Sequence, residues 1–255
     1  LFISFTNWEG MNEINFIGLQ NYIDLFKDPN FLISSLNTII WVLGGLLIPV
    51  VIPLILAILI TESEFGSLFK NIFYLPNALS PTITGIIMST LLTLYGLPQV
   101  FALLGFDSLQ SNWLNIPYVN TVIMIISGAW RGIGINLILF IVGLNNIPKE
   151  PIEAAKIDGA SGFSLYSKIV LPLLKPTMLV VLLMSLVNSF KTFDTVWVMT
   201  GGGPYRTSET LAVTMYKEAF INNQLAYGSA VAIFLSVIVM FVSWFFLKDT
   251  FKVKE

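Results

Sequence analysis

The chain has 255 residues, of which 55% are hydrophobic and 11% are charged, and its formal net charge is -2. Because soluble domains carry roughly 25% charged residues, this composition and a mean hydropathy of +0.81 predict a membrane protein. The 13 Lys and Arg residues form no basic run, which argues against nucleic-acid binding. The chain has no Cys and no His, so disulfides, thiol nucleophiles and imidazole bases are excluded and no metal site is expected.

The N-terminal residues 1–5 are apolar and lead directly into a polar stretch. They are too short for a signal peptide and lack its basic flank and cleavage site. We interpret them as the end of a first transmembrane helix whose beginning precedes Leu1. Residues 6–35 are then an external segment.

The rest of the chain contains apolar runs with few charged residues. As helices, these runs are long enough to cross a hydrocarbon core of ~30 Å. The predicted crossings are 36–60, 71–94, 118–144, 171–198 and 219–247, the last of which would span from Tyr227 onward. With residues 1–5, they predict an all-α membrane protein of six transmembrane helices, the first largely missing. Several runs contain helix-breaking residues, which are tolerated where neighbours or a cavity satisfy the freed backbone groups. These residues are Pro49, Pro53, Pro76, Pro81, Gly128, Gly132 and Gly134. Each alone is explained by ordinary kinking, but together they hint at a pathway.

The distribution of basic residues predicts the orientation, because cytoplasmic loops are enriched in Lys and Arg. If the loop 145–170 and the C-terminus are cytoplasmic, the basic residues on that side are Lys70, Lys149, Lys156, Lys168, Lys175, Lys248, Lys252 and Lys254. Those on the other side are Lys27, Arg206 and Lys217. We therefore expect a cytoplasmic C-terminus and an external loop over 199–226.

The cytoplasmic loop 145–170 is too polar to enter lipid. Pro151 is expected to begin a helix with acidic residues in its first turn, where the helix dipole favours them. Gly159 is expected to end that helix, and Ser161 to cap a second short helix. The pattern predicts a compact helix-turn-helix that presents small residues to a partner.

This loop carries a motif with fixed intervals. It reads Glu153-Ala154-Ala155, then Gly159, then Ile169 and Leu171-Pro172. The chain thereby resembles the binding-protein-dependent ABC importer permeases. The resemblance implies a single type I ABC importer transmembrane domain over 1–255, whose loop docks on a separate ATPase. The implied coupling residues are Glu153, Ala154, Ala155, Asp158 and Gly159. Pro151 departs from the Leu expected there, and this change could shift the start of the helix.

Further segments resemble the carbohydrate-uptake branch, in particular its maltose-permease F-like and glycerol-phosphate-permease A-like subunits. They include residues 16–22, Asp28-Pro29, Asn37-Thr38, Leu75-Pro76, Trp130, residues 158–161, Phe193-Asp194, residues 200–204 and residues 227–230. The resemblance implies uptake of a sugar or oligosaccharide by alternating access in a bacterial-type cytoplasmic membrane. The implied partners are a non-identical G-like permease, two ATPase subunits that bind ATP and Mg, and an external solute-binding protein. No cofactor is expected in this chain.

The external Gly-rich turn allows close backbone approach and carries one charge. We expect it to contact the solute-binding protein. The residues concerned are Gly201, Gly202, Gly203, Pro204 and Arg206.

A sugar site within a membrane needs inward-facing polar groups and an aromatic or apolar platform. The predicted pathway residues are Asn77, Thr82, Gly128, Trp130, Arg131, Gly132, Ser185, Asn188, Ser189 and Thr192; Ser80, Thr84 and Asn136 are further candidates. Ser185, Ser189 and Thr192 share one helical face. Ser, Thr and Asn also serve as interhelical hydrogen-bond partners in membranes, which is the alternative for each of them.

Arg131 is the most informative of these residues, because a guanidinium near the middle of a membrane costs about 2.5 to 3.5 kcal/mol and normally faces a cavity. It could donate to sugar hydroxyls, or to a phosphate or uronate group of an anionic substrate. Alternatively, it could pair with a partner's carboxylate or with helix-end carbonyls. Near the outer end of the fifth crossing, Lys191 and Asp194 are expected to pair on one helix.

Two other classes of protein fit the sequence less well. An ion-coupled secondary carrier should contain buried acids or His as a proton relay, and the firmly assigned crossings contain none. An intramembrane enzyme should contain a nucleophile and base or a metal set, and neither is visible. An amino-acid or phosphate importer is disfavoured by the Gly-Gly-Gly-Pro turn.

Overall fold

The computed structural model describes residues 1–11 and 13–252, and this part of the chain is almost wholly helical, with one isolated bridge between Thr6 and Phe16. Its α-helices are α1 (Gln20–Lys27), α2 (Pro29–Thr61), α3 (Gly66–Tyr74), α4 (Pro81–Leu92), α5 (Leu97–Leu103), α6 (Val119–Asn145), α7 (Lys149–Ile157), α8 (Gly162–Leu165), α9 (Leu171–Phe190), α10 (Asp194–Met199), α11 (Leu211–Tyr216) and α12 (Leu225–Lys252). Lys254, which we expected on the cytoplasmic side, lies outside the described residues.

Five helical stretches of the described chain are long and apolar enough to cross a membrane. They are Pro29–Thr61, Pro81–Leu103, Val119–Asn145, Gly162–Phe190 and Leu225–Phe246. The second of these is interrupted at residues 93–96, between α4 and α5, so its length alone does not show that α5 crosses the membrane. The all-α membrane fold is therefore confirmed. Residues Phe2–Phe5 form a 3-10 helix that packs on α12, and their assignment to a missing first crossing remains a prediction.

The predicted crossing 71–94 is wrong as a continuous helix. Its first part belongs to α3 and a 3-10 turn, Leu75–Ala78, and α4 begins only at Pro81. A proline disfavours helical geometry in the residue before it, and Ser80 is accordingly extended, with ψ 155°. The Ser80 hydroxyl caps α4 by accepting from the Ile83 amide at 3.2 Å. The apolar run thus contains a break at residues 79–80.

The predicted crossing 171–198 is also shifted. Its helix begins at Gly162, passes through a π-helical turn at Tyr166–Val170 and ends at Phe190. The chain then turns, and α10 is a separate short helix. Lys191 and Asp194 lie on opposite sides of this turn, so the expected pairing on one helix is wrong, and they form no ion pair in the described structure.

The first described crossing starts earlier than predicted. Pro29 occupies the first helical position of α2, where its fixed φ and missing N–H are tolerated. The Asp28 carboxylate caps the helix by accepting from the Asn30 amide at 2.9 Å. Residues 29–35, which the prediction places in the external segment, consequently form the first turns of α2.

Helices α2, α6 and α9 pack together, and Asn136 on α6 links all three. Pro53 lacks the N–H that would bond the carbonyl of Pro49 one turn earlier. The Asn136 amide donates to that carbonyl at 2.5 Å and to the Ser185 hydroxyl at 3.1 Å. A side chain from one helix therefore replaces the hydrogen bond that proline removes from another.

This arrangement predicts a compensating pair of substitutions. Asn136→Ala leaves the buried Pro49 carbonyl unpaired, and we expect it to destabilise the protein by about 1–3 kcal/mol. Pro53→Ala restores a backbone donor, so Asn136→Ala should cost less in that background. Helical circular dichroism during heating of all four variants measures the coupling. Equal losses in both backgrounds would contradict the assignment.

Candidate functional site

A cavity of about 460 Å³ opens between α2, α6 and α9, close to the break before α4. Helix α6 contributes one stripe of its surface, in which positions three and four apart share a face. That stripe consists of Gly128, Arg131, Gly132, Ile135 and Asn136. Helix α9 and the turn after it contribute Ser185, Asn188, Ser189, Lys191 and Thr192. Polar groups therefore converge on a space enclosed largely by apolar helices.

Most of the predicted pathway residues lie on this cavity. They are Asn77, Gly128, Arg131, Gly132, Ser185, Asn188, Ser189 and Thr192. Thr82 and Trp130 do not line it. Thr82 is exposed in the first turn of α4, and Trp130 falls between the positions of the α6 stripe. The break before α4 brings Asn77 to the cavity edge.

The sequence analysis missed the wall that α2 forms. Trp41, Gly45 and Pro49 follow one another at four-residue spacing and line the cavity. Trp41 is only 4% exposed, and its indole nitrogen has no hydrogen-bond partner among the described residues. The four-residue spacing of Trp41, Gly45 and Pro49 could have indicated a shared helical face. Their composition gave no such indication, because the rest of α2 is equally apolar.

Arg131 makes one hydrogen bond within the chain and also lines the cavity. Its Nε donates to the carbonyl of Leu79 at 2.8 Å, in the break before α4. The alternative of a helix-end carbonyl partner is therefore observed. No other hydrogen bond or ion pair of Arg131 is present in the described structure, and its side chain lines the cavity. The remaining guanidinium N–H groups are available to a ligand.

The polar groups of α9 divide into two kinds. The Ser189 hydroxyl donates to the Ser185 carbonyl at 2.7 Å, and the Thr192 hydroxyl donates to the Asn188 carbonyl at 3.2 Å. These hydroxyls present acceptor lone pairs to the cavity. The exposed Asn188 amide makes no side-chain hydrogen bond in the described structure, so it can both donate and accept. The cavity thus offers donors and acceptors together.

The second candidate surface is the loop between α6 and α9. Helix α7 begins at Lys149, two residues before the predicted start, and Pro151 lies in its first turn. Gly159 ends the helix as predicted, with φ +86°. The amide of Gly159 donates to Lys156 at 3.1 Å and that of Ala160 donates to Ala155 at 2.8 Å, which is a Schellman motif. Ser161 precedes α8 as predicted but makes no side-chain cap, and α8 continues toward α9 instead of forming a separate helix.

The predicted coupling residues are distributed over the surface of this loop. Glu153, Ala154, Asp158 and Gly159 are exposed. Ala155 is buried in a small apolar cluster that anchors the loop. The sequence analysis missed Ile157 and Phe163, each 86% exposed beside the Gly159 turn. Together these residues form a protruding surface with an apolar tip.

The third surface is the Gly-rich turn that the sequence predicts to be external, and its charged side chains pair within the chain. Arg206 lies 3.2 Å from Glu218 and 3.6 Å from Glu209, while Lys217 lies 2.7 Å from Glu209. Gly202, at φ +88°, packs directly on this group, and an added Cβ would lie 3.0 Å from Glu209. Arg206 therefore serves the fold of the turn. Tyr205, which is 94% exposed, is the side chain that projects.

The same turn joins the cavity helices at one end of the cavity. Two side-chain amides donate to backbone carbonyls of the turn. Asn37 of α2 donates to the Glu209 carbonyl at 3.0 Å, and Asn120 of α6 donates to the Gly203 carbonyl at 3.0 Å. The Thr210 hydroxyl donates to the carbonyl of Thr192 after α9 at 2.9 Å. The Gly-rich turn is thus a clasp across one end of the cavity.

A bundle of membrane-spanning helices around a polar cavity, closed by a clasp at one end and followed by an exposed loop at the other, is the architecture of a membrane permease. The chain belongs to the family of binding-protein-dependent transport system inner membrane components, whose profile matches residues 29–249. It is a permease subunit of a binding-protein-dependent ABC importer and a multi-pass membrane protein.

Two relatives of this chain are permease proteins of sugar transport systems. The chain is 33% identical to the multiple sugar-binding transport system permease protein MsmF of Streptococcus mutans, over 95% of this chain and 84% of that protein. It is 32% identical to the arabinooligosaccharides transport system permease protein AraP of Bacillus subtilis, over 92% of this chain and 76% of that protein. In fold it is similar to a bacterial ABC transporter involved in the import of alginate. That similarity has a TM-score of 0.85, with 23% identity over 94% of this chain and 85% of the other. This match supports the type I importer fold.

Proposed function

We propose that this chain forms half of the pathway through which an ATP-driven importer moves a sugar or oligosaccharide by alternating access. The observation that carries the proposal is the cavity, whose lining includes the amides of Asn77 and Asn188, several hydroxyls and Trp41. Sugar hydroxyls need paired donors and acceptors, and their apolar ring faces suit aromatic side chains. The names of both relatives agree with this substrate class.

The proposed partners follow from the three surfaces. A second, non-identical permease would complete the cavity. Two ATPase subunits would bind ATP and Mg and dock on the loop around Gly159, so that no catalysis and no cofactor are assigned to this chain. A solute-binding protein would contact the external turn at residues 201–206, with Tyr205 added to the predicted set. The C-terminus would be cytoplasmic, as the lysine distribution indicates.

An anionic polyol or uronate is the second candidate substrate. Arg131, Lys191 and Asp194 all line the cavity, so its charged side chains leave one positive charge unmatched within this chain. An ion-coupled carrier is less favoured, because the five described spans contain no Asp, Glu or His.

The substrate class is tested with both permeases, the ATPase subunits and the cognate binding protein reconstituted in proteoliposomes. We expect binding protein loaded with a neutral oligosaccharide to stimulate ATP hydrolysis. Stimulation by a uronate or glycerol phosphate but not by neutral sugars would favour the second candidate. Stimulation by an amino acid or peptide alone would overturn the sugar assignment.

A further inference from the structure

The short helix α5 presents an apolar face to its surroundings. Leu97, Val100, Leu103 and Leu104 are all exposed, Leu103 to 78%. Their spacing of three and four residues places them on one side of the helix. On the other side Pro98 is buried and Phe101 is half-buried, with its ring 5.8 Å from that of Trp113. The side facing away from the protein is therefore the more apolar one.

Such a surface does not suit water. The outward face of a helix in aqueous solvent normally carries polar and charged residues. Between Leu92 and Tyr118, the only charged residue is Asp107. The polar side chain of Gln99 instead points toward its own loop, where it accepts from the Gln110 amide at 2.9 Å. The environment of α5 must accept four neighbouring aliphatic side chains.

The spanning helices before and after α5 also carry exposed apolar residues. Before α5, the exposed residues Ile86 and Leu91 lie on α4, and after it Tyr118 and Val122 lie at the start of α6. Tyr95, 86% exposed, stands between α4 and α5. Tyr side chains concentrate where hydrocarbon meets the headgroups, because their rings are apolar and their hydroxyls are wet. Exposed apolar residues therefore precede and follow α5 along the chain, as expected if the whole stretch lies against lipid.

We propose that α5 lies in the interface of the bilayer at the external ends of α4 and α6, with its apolar face among the lipid chains. The occupant of this face is therefore lipid. A short amphipathic helix in this position buries its apolar side by several ångströms at the boundary between headgroups and chains. The loop from α4 to α6 then acts as an anchor and not as a free external loop.

Anchoring of α5 in the interface would affect the position of a cavity wall, because α5 is connected to that wall through α4. Gly85 of α4 packs closely on α10, and a Cβ added there would lie 3.2 Å from Val198. The first residues of α10, Asp194 and Thr195, line the cavity. Holding the external end of α4 at a fixed depth therefore holds this cavity wall at a fixed depth as well.

Because these 255 residues contain no Cys, each single-cysteine variant offers one labelling site in this chain, and the partner subunits are used in cysteine-free form. Val100→Cys and Leu103→Cys are placed in the full importer complex in proteoliposomes, and collisions with oxygen and with a water-soluble nickel chelate are measured. The controls are Val237→Cys, 53% exposed on the spanning part of α12, and Tyr205→Cys on the external turn.

The proposal predicts that labels at Val100 and Leu103 have oxygen-to-nickel collision ratios several-fold above that at Tyr205. It also predicts a shallower depth than that of Val237. Nickel accessibility equal to that at Tyr205 would place α5 in water and overturn the proposal. Protection from both reagents would also overturn it, because a protein partner would then cover the face. The measurement requires no substrate, so its outcome is independent of the sugar assignment.

Discussion

A Gly159→Leu variant is expected to insert into the membrane and assemble with its partner permease, but to lose most of its transport activity. Gly159 ends α7 at φ +86°, and no atom within 4 Å would meet a Cβ there. A side chain in this left-handed region costs about 1–2 kcal/mol, so the free loop should relax to another backbone conformation. Docking would have to restore the turn, which weakens ATPase binding by about tenfold for each 1.4 kcal/mol.

The matched control is Gly105→Leu. Gly105 has φ +90° and equally open surroundings, but it lies in the loop after α5, far along the chain from the docking loop. Both variants therefore carry the same backbone strain. Co-purification of the ATPase with each permease, at equal permease recovery, separates local strain from docking. Normal ATPase recovery and normal transport with Gly159→Leu would contradict the docking role of this turn.

The second large effect is expected at Glu209, whose carboxylate is fully buried between Lys217 and Arg206. It also accepts from the Thr214 hydroxyl at 2.8 Å. Glu209→Gln removes the negative charge and leaves both cations without their shared partner. Breaking a buried ion pair costs about 3–5 kcal/mol, and we expect the lower end because both cations are partly exposed.

Thermal unfolding in detergent, followed by tryptophan fluorescence, measures this cost. A loss of about 3 kcal/mol corresponds to a fall of roughly 6–12 °C in the unfolding midpoint of a chain of this size. Glu64→Gln, which changes an exposed carboxylate in the loop after α2, serves as the control. Equal midpoints for the two variants would show that Glu209 does not hold the external clasp together.

Element type was predictable where the local chemistry is unambiguous. The predicted crossing 118–144 agrees with α6 to within one residue at each end, because a long charge-poor run is flanked by polar residues. The end of α7 at Gly159 was predictable because a left-handed C-terminal turn favours glycine. These features depend on residues that are neighbours in sequence.

The positions of the breaks were not predictable from apolar length alone. The runs 71–94 and 171–198 are apolar enough to cross, but each contains a turn, at Ser80 and after Phe190. Hydropathy reports whether a residue tolerates lipid and does not report whether its helix is continuous. Pro76 and Pro81 were the available signal for the first break.

Only part of the candidate site was predictable from the sequence, because local patterns identify some of its residues and not others. Polar residues at helical spacing identify the stripes of α6 and α9 within apolar sequence. The Trp41 wall is apolar, and the partners of Glu209 and Asn136 come from distant or neighbouring segments that only the fold brings together. Such pairings are tertiary and leave no local pattern.

We propose that this chain forms half of the membrane pathway of an importer that requires ATP and a binding protein. This proposal is tested most directly by uptake of a labelled oligosaccharide into proteoliposomes that contain both permeases and the ATPase. We predict uptake only with ATP on the ATPase side and loaded binding protein on the other, and no loss when ion gradients are dissipated. Uptake driven by an imposed ion gradient without ATP would contradict the account.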